Sequence, residues 1–168
     1  MIHYINGDLL NTQCQYICHQ VNCQGKMNSG VAKAIRDKWP VVYKEYCDWH
    51  TSYDLWAYAH QNQEYTYSAA EAMLGHVQIV NVNNNQNVVN MAAQACFGYD
   101  GKRYTSYDAF WLCLGEIREM IPKGSSVAFP YKIGCVRGGA NWAIIETMIK
   151  EALEKDYNVF IYKLEDNQ

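Results

Sequence analysis

Between Tyr16 and Pro40 a short apolar strand, a loop and an amphipathic helix follow one another without a break: Y-I-C-H-Q-V-N-C-Q-G-K-M-N-S-G-V-A-K-A-I-R-D-K-W-P. The strand spans Tyr16 to Val21 and the helix Gly30 to Lys38, with Val31, Ala34, Ile35 and Lys38 assigned to its inner face. The loop carries Asn22, Gly25, Asn28, Ser29 and Gly30. Glycine and asparagine tolerate positive φ, so such a loop can turn sharply and aim several backbone N–H groups at one point. A helix starting directly behind it adds the positive end of its dipole, with Ser29 placed to cap it. Strand, loop and helix N-terminus together read as a cradle for an anion such as phosphate.

The rest of the chain repeats the theme. Ile2 to Ile5 reads as a strand closed by Asn6-Gly7, with Asp8 at its end. After Trp39, Pro40 suits the first turn of a second helix with Val42, Tyr46 and Trp49 on one side. Residues 51–67 are polar and aromatic without a clear period and receive no assignment. Ser68-Ala-Ala-Glu71 resembles a capping box. Val77 to Val82 and Val88 to Met91, joined by Asn83 to Asn87, read as a hairpin. Ala92 to Tyr104 is a loop containing Gln94, Phe97 and Gly98. Thr105 or Ser106 then caps a helix with Phe110, Leu114, Ile117 and Ile121 inward. Val127 to Pro130 is a buried strand, followed by a second glycine-rich loop, Ile133-Gly-Cys-Val-Arg-Gly-Gly-Ala140. Asn141 caps the last helix, Val159 to Leu164 is the closing strand, and 165–168 read as a frayed tail.

Alternating strands and helices with one hairpin predict a single three-layer α/β/α domain over 1–168 with a mixed central sheet. In such sheets ligands sit outside the carboxyl ends of the strands, where loops feed helices. Two glycine-rich loops of that kind occur here. Neither matches the P-loop or the dinucleotide-binding glycine pattern, which sets both nucleotide folds aside. Each alone is an ordinary left-handed turn; as a pair they point to a diphosphate-sized ligand.

Charge and cysteine usage narrow the class. A formal charge of -3 with 14 scattered Lys and Arg provides no basic face for general nucleic-acid binding. No apolar run is long enough to span a bilayer, and the first residues lack the pattern of a signal peptide. Seven cysteines without framework spacing suit reduced thiols in a cytoplasm. No cofactor is expected. Cys14, Cys18, His19 and Cys23 do not form a metal site, because alternation sends Cys18 and His19 to opposite faces of the strand. Cys23 or Cys135 as a thiol nucleophile has no base visibly beside it. Asp8 has two open roles, satisfying its own turn or accepting from an exocyclic amine such as that of adenine. Tyr162 is either a core residue or a ring to stack on.

These segments resemble the macrodomains, an ADP-ribose-binding α/β/α family. Asn6-Gly7-Asp8-Leu9 is similar to the family's G-D-[IL] motif. His19-Gln-Val-Asn-Cys-Gln-Gly-Lys-Met-Asn-Ser-Gly-Val-Ala resembles H-x-x-N-x-x-G-x-M-G-x-G-[IV]-A, and Phe129 to Trp142 resembles P-x-[KR]-I-G-C-G-x-G-G-x-x-W. This form belongs to the branch containing terminal ADP-ribose protein glycohydrolase, ADP-ribose 1''-phosphate phosphatase and stand-alone bacterial and phage macrodomains. The resemblance implies that Asp8 receives the adenine amine, that Leu9 gives a backbone contact and that Tyr162 lies near adenine. It implies that Asn22 faces the distal ribose. Gly25, Met27, Asn28, Ser29, Gly30 and Val31 would wrap the pyrophosphate from one side. Ile133, Gly134, Cys135, Val136, Arg137, Gly138, Gly139 and Asn141 would wrap it from the other.

The sequence also departs from that pattern. Asn28 replaces a glycine, which keeps the turn if Asn28 takes positive φ. Val136 replaces another. Gln94 or Ala93 stands where the glycohydrolase has its lysine nucleophile, Gly138 or Gly139 near where its aspartate falls, and Asn141 where related loops often carry aspartate. Hydrolysis of a distal-ribose substituent, either a 1''-phosphate or an ADP-ribosyl ester, would then rely on water positioned by His19, Asn22 or Gln94. The alternative is a non-catalytic module that senses or sequesters ADP-ribose or related NAD derivatives. The expected partner is ADP-ribose or a derivative, free or on ADP-ribosylated macromolecules, bound by a monomer.

Overall fold

The apolar runs assigned as strands are Val- and Ile-rich and flanked by glycine or asparagine, and each helix begins at a small polar residue or a proline. That punctuation is what the chain obeys. The computed structural model describes residues 1–62 and 68–165. Its strands are β1 (Ile2–Asn6), β2 (Tyr16–Asn22), β3 (Val77–Asn83), β4 (Gln86–Gln94), β5 (Ser126–Pro130) and β6 (Asn158–Lys163). Its helices are α1 (Gly30–Lys38), α2 (Pro40–Ala59), α3 (Ala69–Met73), α4 (Tyr107–Met120) and α5 (Trp142–Leu153), with a 3-10 turn at Leu9–Asn11.

The strands form one sheet in the order β1-β6-β5-β2-β4-β3. All neighbours run parallel except the hairpin β3–β4, so the sheet is mixed, as the sequence predicts. Alternation along β2 divides the core. Ile17 and Val21 pack with Ile35, Val42 and Tyr46 under α1 and α2. Cys18 joins Phe110, Leu114, Ile145 and Ile149 under α4 and α5 on the opposite face. Three layers result.

Several local expectations hold. Ser68 and Glu71 form the full capping box, Ser106 accepts from the Ala109 N–H, and Asn141 accepts from Ala143. Others need correction. Ser29 is extended (φ −154°) and its hydroxyl does not cap α1. Val31 is 39% exposed, and Ile35 is the buried residue of that helix, because the first turn of α1 faces the loop side instead of the core. Residues 51–59, left unassigned from sequence, continue α2; its aromatic residues meet each other (Trp49 with Tyr53, Trp56 with His60) in place of an apolar period. Residues 63–67 of that unassigned stretch and 166–168 of the tail lie outside the described residues.

Gly115 lies exposed in the middle of α4, where an added Cβ would meet nothing within 4 Å. Helix-interior glycine costs about 1 kcal/mol relative to alanine through backbone entropy. Gly115→Ala should therefore raise the melting temperature by about 2–4 °C in a thermal scan. An unchanged or lower value would contradict the open environment drawn for this position.

Candidate functional site

The carboxyl ends of β5, β2 and β4 stand side by side in the sheet, and each releases a loop. The loop after β2 runs to α1 on one face, and the loop after β5 runs to α5 on the other. A cleft opens where they diverge, as at the switch point of an open parallel sheet. It is lined by the ends of the two loops and by Phe97 and Tyr99 from the segment after β4. Lys26, Lys132 and Arg137 contribute to its walls, and no aspartate or glutamate among the described residues lines it.

The first loop is shaped from within. Asn22 Oδ1 accepts from the N–H of Gln24 (3.0 Å) and from the Tyr46 hydroxyl (2.8 Å), while its Nδ2 donates to the Lys26 carbonyl (2.9 Å). Tyr46 is fully buried, so this anchor ties the loop to α2. The amide of Asn22 therefore holds its own loop first, leaving one N–H for a ligand. Gly25 (φ 73°) and Gly30 (φ 60°) make the turns. Asn28 does not take positive φ; its Oδ1 accepts from Arg36 instead (3.1 Å), and the glycines on either side supply the curvature. Met27 is buried and pins the loop's middle. Met27, Asn28, Ser29 and Val31 line the cleft, whereas Gly25 and Gly30 shape the backbone behind it. With Ser29 extended, no hydroxyl cap competes for the leading N–H groups of α1.

The second loop closes on a hydroxyl. Thr105 Oγ1 donates to the Gly134 carbonyl (2.8 Å), and the N–H groups of Tyr104 and Thr105 both donate to the Gly138 carbonyl. Gly134 (φ 72°) and Gly139 (φ 69°) are left-handed, and so is Lys132 (φ 59°), a non-glycine position that sequence reading did not mark. Ile133, Gly134, Val136, Arg137 and Gly138 line the cleft; Cys135, Gly139 and Asn141 do not. Asn141 is spent capping α5. Val136 is 83% exposed and does not narrow the floor. Arg137 instead crosses the cleft mouth, its guanidinium 5.2 Å from the centre of the Tyr99 ring.

Beneath the loops lie two polar chains. Gln20 Nε2 donates to Gln94 Oε1 (2.7 Å) and to Thr105 Oγ1 (2.8 Å), while Gln94 Nε2 donates to the Cys96 carbonyl. Gln94 thus braces the segment after β4. On the other face of β2, His19 Nε2 lies 2.5 Å from Asn90 Oδ1. Burial pushes the His19 imidazole down to about 4, the Asn90 contact offsetting this only in part, so it is neutral at physiological pH. A neutral imidazole with that pKa is a weak base. The thiols do not offer a nucleophile either: burial pushes Cys23 up to about 12 and raises Cys135 as well.

Asp8, Leu9 and Tyr162 stand at the ends of β1 and β6, outside the lining of this cleft but on the same rim of the sheet. Asp8 caps the 3-10 turn through Oδ1, accepting from Leu10 (2.9 Å), and keeps Oδ2 for another donor. Leu9 is buried. Tyr162 accepts from the Thr12 hydroxyl (2.8 Å). Among the described residues no cluster of three or more His, Cys, Asp or Glu could hold a metal ion, and no helix is long and apolar enough to cross a membrane. Sequence reasoning missed Gln20, Thr105 and Tyr99. A glutamine inside an otherwise apolar strand is the signal that could have found the first.

No protein-family model and no curated protein matches the sequence. Solved structures do. A protein of unknown function from Bacteroides thetaiotaomicron is 32% identical, with 98% of each chain covered and a TM-score of 0.76. A macrodomain protein from Streptomyces coelicolor is 26% identical over 96% of this chain and 98% of that one, with a TM-score of 0.70. The chain has the fold of the macrodomains. The fold also matches Thermosipho africanus DarTG in complex with ADP-ribose, at 18% identity and a TM-score of 0.71, covering 99% of this chain and 42% of that one. The cleft occupies the rim where two glycine-turned loops meet.

Proposed function

We propose that this macrodomain binds ADP-ribose or a close derivative, its diphosphate lying between the two glycine loops. One observation carries the reading: a chain of formal charge -3 lines its cleft with Lys26, Lys132 and Arg137 and, among the described residues, with no carboxylate. Leading N–H groups of α1 left open by Ser29 add to the attraction for an anion. Asp8, with one carboxylate oxygen free at the β1 end of the same rim, would accept the adenine amine. The ADP-ribose complex of a protein with the same fold supports the choice of ligand. The protein is read as a single cytoplasmic domain acting as a monomer on free or macromolecule-linked ADP-ribose.

Binding without turnover is the mode the side chains favour. Asn22 is committed to its loop, Gln94 to its network, and His19 is a weak base. Hydrolysis of a distal-ribose ester or 1''-phosphate is the second reading, and what favours it is that His19, a residue of the cleft lining, has an unpartnered Nδ1. Calorimetry with ADP-ribose should show binding that Asp8→Ala weakens. Gly134→Glu should weaken it further, since a side chain there meets Gln20 Oε1 at 2.7 Å and adds negative charge. No heat at millimolar ligand would end the reading. Incubation with ADP-ribose 1''-phosphate and with glutamate-ADP-ribosylated protein separates the two modes, and release of phosphate or ADP-ribose would establish hydrolysis.

A further inference from the structure

We infer that Asn90 and Gln78 are positioning residues that hold His19 as a fixed hydrogen-bond acceptor for a hydroxyl group of the ligand in the cleft. This rests on the ADP-ribose reading for the identity of that hydroxyl, and on the geometry of the sheet for the rest.

His19, Asn90 and Gln78 occupy one row across β2, β4 and β3, in register with one another. The row ends on α2, where Gln78 Nε2 donates to the Glu45 carbonyl (2.9 Å). A carbonyl can only accept, so the amide nitrogen of Gln78 must face it. That turns Gln78 Oε1 toward Asn90, whose Nδ2 donates to it (3.0 Å). Asn90 then presents Oδ1 to His19, and a bare oxygen there requires the proton on Nε2. Each step leaves one choice for the next. The imidazole ends with Nδ1 unprotonated.

That nitrogen is buried and has no hydrogen-bond partner among the described residues. His19 itself is 1% exposed and belongs to the cleft's lining. A buried acceptor without a partner costs free energy unless a donor reaches it. The diphosphate oxygens of ADP-ribose carry no donor, whereas the distal ribose carries hydroxyls. Burial that keeps the ring neutral preserves the acceptor at physiological pH. His19 thereby selects for a sugar hydroxyl in place of a further anionic oxygen.

The test is nitrogen-15 NMR of histidine-labelled full-length protein, joined to calorimetry. Ligand-free wild type at neutral pH should show His19 protonated on Nε2 alone, and saturation with ADP-ribose should shift the Nδ1 resonance toward that of a hydrogen-bonded acceptor. Gln78→Met, at a partly exposed strand position, should mix the two tautomers and weaken ADP-ribose binding by about tenfold. Asn90→Leu, which removes the acceptor facing Nε2, should likewise mix the tautomers. His19→Phe should lose about tenfold for ADP-ribose and leave ADP, which lacks the distal ribose, unchanged. A proton on Nδ1, an Nδ1 signal unmoved by bound ADP-ribose, or equal losses for ADP and ADP-ribose overturns the inference. Wild type that binds no ADP-ribose overturns the functional reading instead, and the ligand-free spectrum then still decides the tautomer.

Discussion

Replacing Gly138 by alanine is expected to lower the melting temperature by about 6–12 °C, the response of a chain this size to a loss of about 3 kcal/mol. The new methyl would collide with Thr105 Oγ1 and with the Gly134 carbonyl oxygen. Neither can step aside. Thr105 accepts from Gln20 and donates to Gly134, and the Gly138 carbonyl receives two N–H groups from the next segment. The clash therefore opens the junction between the loops after β4 and β5, and ADP-ribose binding should fall with it. Gly124→Ala is the control. Gly124, unlike Gly138, is left-handed (φ 86°), and it has nothing within 4 Å of an added Cβ. Its cost is the backbone penalty alone, about 1–2 kcal/mol. Circular dichroism melts of the two variants decide the matter: a Gly138→Ala protein as stable as Gly124→Ala would mean that the junction is loose.

Acid should destabilise this protein through His19. The folded ring titrates at about 4 against an ordinary value of 6.5. A depressed folded pKa contributes stability that is fully present above 6.5 and is lost as pH falls toward 4, because only the unfolded chain takes the proton in that window. Between pH 7 and pH 4.5 the loss is about 2–3 kcal/mol. Urea denaturation at the two pH values measures it. His19→Phe should flatten the profile over that interval, whatever its effect on stability at pH 7. A wild-type profile already flat from 7 to 4.5 would show that the imidazole is protonated inside the fold or reaches water.

What could be read from the sequence was local. Gly30 and Lys38 bound α1 where the apolar spacing places them, and Ser68, Ser106 and Asn141 cap the helices they precede. The hairpin followed from its asparagine turn. Each of these depends on a few neighbouring residues, so a one-dimensional pattern suffices. The side-chain commitments in the cleft depend on partners far away in the chain. Asn22 is anchored by Tyr46, Gln20 reaches Gln94 and Thr105, and His19 reaches Asn90, 71 residues on. Motif spacing shows which residues gather at the rim; it does not show which of their lone pairs are already in use. Residues 51–59 were illegible for another reason: their helix lies along the surface, with Leu55 and Tyr58 exposed, and apolar and polar residues do not separate onto two faces.

One pairing in the sheet governs when this site can exist at all. β1 has a single neighbour, β6, so Ile2 is matched with Val159 and Asn6 with Lys163. The turn that presents Asp8 hangs from the end of β1, and Gly7 donates to the Lys163 carbonyl. During synthesis β1 is made long before β6 and must wait for it before its edge is satisfied. Such long-range pairing carries a high loop-closure cost and comes late in folding. The glycine loop after β2 can take shape around α1 and α2 well before that. The first glycine loop can thus be shaped early in synthesis, whereas the loop after β5 and the turn that presents Asp8 are set only near the end, so a half-built chain has one wall of the cleft without the other.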